Sequence, residues 1–108
     1  MTSKLKYAVF GGGSWATAIV KMLCENLDEI GWYMRNEQAL NHIKTHQHNP
    51  HYLSSVEFNL DQLKLSNDIN ETAQYADVLI IVIPSAFVFD ELKKLTTDIS
   101  KKIVVSAV

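Results

Sequence analysis

The 108-residue chain is sparing in the residues that would stiffen or cross-link it: one cysteine, two prolines and four glycines. A single cysteine, Cys24, forms no internal disulfide, which fits a reducing compartment. No apolar run approaches the roughly 20 residues of a membrane span, and the N-terminus lacks the apolar core of a signal peptide. A cytoplasmic protein with no membrane span is expected. Excess charge is missing too, since a net charge of −2 offers no basic surface for nucleic acid or anionic lipid. What remains is an ordinary globular composition, 47% hydrophobic and 20% charged, of a length that suits one domain over residues 1–108.

Three of the four glycines stand together, and their place is informative. The stretch Ala8-Val9-Phe10-Gly11-Gly12-Gly13-Ser14-Trp15-Ala16-Thr17-Ala18 carries Gly-x-Gly-x-x-Ala between a β-like run, Leu5 to Phe10, and a helix-like one. Gly11 permits a tight turn out of the strand, and Gly13 lets a pyrophosphate approach the backbone. Ala16 is small enough for the helix to pack closely on the strand. The amides that open the helix would then face bound phosphate. Strand, turn and helix in this order predict a dinucleotide site.

Downstream, Trp15, Ala18, Ile19, Met22 and Leu23 have helical spacing and predict the sheet-facing stripe of a helix over residues 14–26. Cys24 on that helix reads as a packing residue, with no histidine near it in sequence. A second strand follows from Glu29 to Met34. Dinucleotide folds that select NAD carry an acid about 20 residues after the glycines, at the tip of this strand. Here the tip reads Tyr33-Met34-Arg35-Asn36. Arg35 cannot accept a bond from a ribose hydroxyl, but its guanidinium suits a 2′-phosphate and can stack on adenine. NADP(H) is therefore favoured, with NAD(H) left open through Glu37.

A helix from Glu37 to about His46 is expected, with Leu40 and Ile43 on one side. His42 and His46 have the i, i+4 spacing of metal ligands, but no carboxylate or cysteine cluster accompanies them, and no metal site is expected. The loop Asn49-Pro50-His51-Tyr52-Leu53 stops the helix. From Val56 to Leu65 irregular or extended chain is expected, with a short strand at Leu63-Lys64-Leu65. Asp68 and Glu71 form a capping box before a helix from Ile69 to about Tyr75. Six unbroken apolar residues, Val78 to Ile83, make a strand covered on both faces, ended by Pro84. Pro84 and Ser85 then sit at its carboxyl end, where open α/β sheets bind ligands. Val88, Leu92, Leu95 and Ile99 form a helical stripe, and Ile103 to Val108 a last strand. The fold class is α/β: a Rossmann-type, doubly wound, mostly parallel sheet with helices on both faces.

These residues resemble the N-terminal cofactor domain of the NAD(P)-dependent glycerol-3-phosphate dehydrogenases. The resemblance rests on Gly11-Gly12-Gly13-Ser14-Trp15-Ala16-Thr17-Ala18, where Ala16 replaces the family's usual glycine. It also rests on Trp32-Tyr33-Met34-Arg35-Asn36, Asn49-Pro50-His51-Tyr52-Leu53 and Val82-Ile83-Pro84-Ser85. It implies nucleotide contacts from Ser14, Trp15, Arg35, Asn36, Tyr52, Pro84 and Ser85, beside Gly11 and Gly13. It also implies reduction of dihydroxyacetone phosphate to sn-glycerol 3-phosphate for phospholipid synthesis, and a small phosphorylated substrate held by a helical C-terminal domain. A homodimer is the one protein partner considered, formed through an exposed face where a second domain would pack. In the family, a lysine follows the last strand and a second comes from the C-terminal domain, so residues 1–108 alone are expected to bind cofactor without catalysing. Lys101 and Lys102, at the amino end of that strand, stand on the wrong side of the sheet to replace them. No catalytic residue is assigned. A nucleotide-sensing module, or the cofactor domain of another hydroxy-acid dehydrogenase, are the alternative readings.

Overall fold

The structure is a computed structural model, and it describes residues 5–46 and 58–107. Tyr52 and the rest of its loop therefore lie outside the described residues. The elements run β1 (Tyr7–Phe10), α1 (Ser14–Cys24), β2 (Ile30–Tyr33), α2 (Glu37–His46), a 3₁₀ turn (Leu60–Gln62), β3 (Leu63–Ser66), α3 (Ile69–Tyr75), β4 (Val78–Ile81), α4 (Ser85–Leu92) and β5 (Ile103–Ser106). All strand pairs are parallel, in the order β3-β2-β1-β4-β5. The chain starts at the centre, winds outward to β3, then crosses back to β4. The reversal leaves a crevice at the carboxyl ends of β1 and β4, the point where such sheets take ligands.

Apolar runs without polar alternation feed two cores because successive side chains point to opposite faces. Val9, Ile30, Trp32, Met34 and Val82 join Ala16, Ile19 and Val20 of α1 and Leu40 and Ile43 of α2 on one face. Ala8, Phe10, Tyr33, Leu79, Ile81 and Ile83 join Ile69 and Ala73 of α3 on the other, with Val88 and Leu92 of α4 packed against them. The expected doubly wound architecture is thus present.

Several local expectations are corrected. The buried side of α1 is Ala16, Thr17, Ile19 and Val20, whereas Trp15 and Met22 are 61% and 56% exposed. The face that meets the strands at close range takes small and β-branched residues, which rotates the helix away from its largest side chains. Helix α1 also stops at Cys24 instead of residue 26. The capping box is half formed: Asp68 accepts the Asn70 and Glu71 amides at 2.9 and 3.3 Å, but its own amide goes to Ser66 Oγ at 2.9 Å. The Val88–Ile99 stripe is not one helix, for α4 ends at Leu92, although Leu95 and Ile99 still pack on the second core. Asn70 fixes the chain beyond it, accepting the Thr96 and Thr97 amides at 2.7 and 3.0 Å and donating to the Lys94 carbonyl.

Strand β4 closes at Ile81, because its neighbour β1 ends at Phe10, and a last amide bond runs from Val82 to the Phe10 carbonyl at 2.9 Å. Strand β5 ends at Ser106, and its Ile103, Val104 and Val105 remain 55%, 49% and 44% exposed. Among the described residues no helix is long and apolar enough to cross a membrane, and no group of three or more His, Cys, Asp or Glu could hold a metal ion. Burial pushes the Cys24 thiol above its ordinary range, with Lys21 opposing, as suits a packing residue.

A candidate dinucleotide cleft

The glycine turn is where β1 must pass close to β4. Gly11 has φ +144°, and a Cβ there would stand 2.5 Å from the Val82 carbonyl oxygen, so only glycine fits. Its amide donates to the Tyr33 carbonyl at 2.9 Å, and its carbonyl accepts the buried Trp32 indole at 2.6 Å. The turn is thereby tied to β2 from both sides. A Cβ on Gly13 would meet nothing within 4 Å, so that position faces open space where a ligand can approach. Thr17 closes the first turn of α1, its amide and hydroxyl both donating to the Gly13 carbonyl. No side chain caps α1 and no acid lies in its first turn, so the positive end of the helix is offered to an anion.

Two clefts flank this turn and share Gly13, Ile83 and Pro84 as their common wall. The first, about 440 Å³, lies between the glycines, the end of β2 and α4, and Arg35, Asn36, Phe87 and Glu91 line it. The second, about 460 Å³, is lined by Ser14, Trp15 and Ala107 beside the shared wall. A pair of clefts on either side of a helix N-terminus suits a ligand with two halves joined by a pyrophosphate.

The residues expected at the site divide accordingly. Gly11, Gly13, Arg35, Asn36 and Pro84 meet at the first cleft, and Ser14 and Trp15 join Gly13 and Pro84 at the second. Trp15 lies across the end of β5, its indole donating to the Ala107 carbonyl at 3.1 Å. Asn36 has a structural duty, since its Oδ1 accepts the Ala39 amide at 3.0 Å and so caps α2. Ser85 opens α4, placing its backbone beside Pro84. Lys102 is engaged at the opposite end of the sheet, donating to the Ala76 carbonyl at 2.5 Å, as its position before β5 implied.

Sequence reasoning missed two cleft residues. Phe87 carries the Arg35 guanidinium over its ring at 4.7 Å. Glu91, only 2% exposed, accepts the Tyr33 hydroxyl at 2.6 Å and stands 3.7 Å from Arg35 Nε. Burial, then the bond and charge of Glu91, push the Tyr33 hydroxyl pKa well above its ordinary value. Phe87 and Glu91 are one turn apart on α4 and three and seven residues from Pro84; that spacing is the signal that could have placed them at the cleft.

Residues 6–108 match the family model of the NAD-dependent glycerol-3-phosphate dehydrogenase N-terminus. The glycerol-3-phosphate dehydrogenase, NAD(P)+, of Ectopseudomonas mendocina is 29% identical over 106 residues, which cover 98% of this chain and 31% of that protein. That of Limosilactobacillus reuteri is 30% identical over 96 residues, 89% of this chain and 28% of the relative. The chain thus spans about a third of the length of the curated relatives it matches. Among solved structures, a glycerol-3-phosphate dehydrogenase of Saccharomyces cerevisiae superposes with a TM-score of 0.84 at 21% identity, covering 96% of this chain and 33% of that one, which shows a common fold.

Proposed function

The chain belongs to the family of NAD-dependent glycerol-3-phosphate dehydrogenase N-termini, and from that premise we propose that it is the dinucleotide-binding part of an enzyme reducing dihydroxyacetone phosphate to sn-glycerol 3-phosphate. The enzyme works in the cytoplasm, for glycerophospholipid synthesis, and the small phosphorylated substrate is held by residues outside 1–108. The observation that carries the cofactor reading is the uncapped start of α1 between two clefts, with Gly13 open toward both.

Within it, the pyrophosphate lies against the amides that begin α1. The cleft of Arg35, Asn36 and Phe87 would hold the adenosine half and that of Ser14, Trp15 and Pro84 the nicotinamide half, with further contacts from Ser85 and from Tyr52, which lies outside the described residues. When bound, the dihydronicotinamide supplies a hydride to the substrate carbonyl carbon. The residues here bind and orient it, with the apolar wall of Ile83 and Pro84 limiting water. A proton must also reach the carbonyl oxygen, and among the described residues no lysine or histidine lines either cleft. On the family reading the proton donor comes from outside residues 1–108, which alone are expected to bind nucleotide without turnover. Arg35 favours NADP(H), because its guanidinium pairs with a 2′-phosphate that NAD(H) lacks.

Calorimetric titration of the chain with NADPH and NADH tests this reading. Both are expected to bind, NADPH more tightly, and Arg35→Ala lowers NADPH affinity by about tenfold while changing NADH less. Binding of neither nucleotide would overturn it.

A further inference from the structure

The tip of β2 lacks the acid that reads a ribose in NAD-selective folds, yet the first cleft does contain one, delivered from the opposite direction. Glu91 stands in the last turn of α4 with its side chain 3% exposed. Its Oε2 accepts the Tyr33 hydroxyl at 2.6 Å and lies 3.5 Å from Lys94 Nζ, while Oε1 lies 3.7 Å from Arg35 Nε. A buried carboxylate is held only where donors surround it, and here one is neutral and buried while the two cations are on the rim, Arg35 58% and Lys94 60% exposed. The charge that β2 offers to the cleft is therefore not a lone arginine but an arginine joined to a fixed acid.

Resting on the dinucleotide reading above, we infer that Glu91 is the positioning residue that sets cofactor choice: it holds Arg35 over Phe87 and offsets its charge, so the cleft accepts NADH as well as NADPH. A 2′-phosphate, carrying roughly −1.5 to −2 charges, gains an ion pair with Arg35 and meets a carboxylate a few ångströms behind it. The buried carboxylate is little screened by salt, so the opposition persists at the ionic strength of a cell. A free ribose hydroxyl has no charge to be opposed. Removing the negative charge of Glu91 thus raises NADPH affinity selectively, the opposite sign to removing the positive charge of Arg35.

Glu91→Gln tests this in the same titrations, because it keeps the size of the side chain and an acceptor for Tyr33. The ratio of NADPH to NADH affinity is expected to rise by about fivefold to tenfold, as for a charge pair near a protein surface. A merely structural role would move both affinities together and leave the ratio where it was. Should Glu91→Gln fail to give a cooperative melt, the double change Tyr33→Phe with Glu91→Leu carries the test, since it leaves no buried group without its partner. It is expected to raise the ratio likewise. An unmoved or falling ratio, with both nucleotides still bound by the unaltered chain, overturns the assignment of Glu91 alone. Binding of neither by the unaltered chain overturns the dinucleotide reading and this one with it.

Discussion

The two edges of the sheet are built differently. On one side β3 reads Leu63-Lys64-Leu65-Ser66, with Leu63 and Ser66 buried and Lys64 pointing outward. Lys64 Nζ stands 3.6 Å from Glu29 Oε2, and Glu29 Oε1 accepts the Tyr75 hydroxyl at 2.8 Å. A charge in the middle of a short strand discourages edge pairing, and the link to Glu29 and Tyr75 ties that edge to the sheet behind it. On the other side β5 reads Ile103-Val104-Val105-Ser106, apolar, uncharged and exposed along its length. Strand β4 beside it is just as apolar but buried. Composition marks both as strands of a parallel sheet, and only their place in the strand order decides whether apolar side chains gain anything from folding. Alternation at β3 and its absence at β5 record the same distinction in sequence.

The largest expected effect comes from breaking the centre from which both edges hang. Gly11→Ala adds a Cβ at φ +144° and 2.5 Å from the Val82 carbonyl, so β1 and β4 must part. A loss of about 3 kcal/mol or more is expected by urea unfolding, combining backbone strain and overpacking. A smaller effect sharpens the contrast between the edges. Leu63→Ala removes a side chain 8% exposed and packed in the first core, for a loss of about 2–3 kcal/mol. Val104→Ala, at a residue 49% exposed, costs under about 1 kcal/mol. Equal losses at the two positions would mean that β5 is covered as β3 is.

The strands were legible because β1, β2, β4 and β5 are short runs of mostly apolar residues and β3 alternates Leu63-Lys64-Leu65, and the glycine turn because strand, glycines and helix come in an order that few other folds share. The face of α1 was not, since hydrophobicity favours Trp15 and Met22 whereas close approach to the sheet selects Ala16, Thr17 and Val20. At Asp68 the pattern identified the cap but not its partner, because Ser66, two residues upstream, competes with Glu71 for the same amide. Glu91 was the hardest to read. A glutamate between Asp90 and Leu92 looks like the solvent face of an amphipathic helix, and nothing local says that Tyr33, 58 residues earlier, takes its charge into the cleft. Arg35 was found as a lone cation for that reason. The cleft residues carried by the glycine turn and the β2 tip were readable, whereas Phe87 and Glu91 had only their spacing from Pro84 to mark them, and nothing in sequence paired Glu91 with Tyr33.

The smallest expected effect concerns how the β3 edge is tied down. Burial, then the bond and charge of Glu29, hold the Tyr75 hydroxyl pKa above its ordinary value of 10.0. The folded chain therefore keeps the Tyr75 proton more firmly than the unfolded chain does. Its contribution to stability is complete below about pH 10 and declines as the pH climbs beyond it. Tyr33, held up by burial and by Glu91, adds a decline of the same sign. Tyr75→Phe loses the bond to Glu29, about 1 kcal/mol at neutral pH, and flattens the decline above pH 10 by the share of one tyrosine. The further change Tyr33→Phe flattens it again. Val104→Ala leaves the slope untouched, because no titrating group in β5 reports on that edge. Melting temperatures of the four proteins between pH 8 and pH 11 read these slopes directly, and a Tyr75→Phe slope equal to that of the unaltered chain would detach Tyr75 and Glu29 from the edge they are argued to hold.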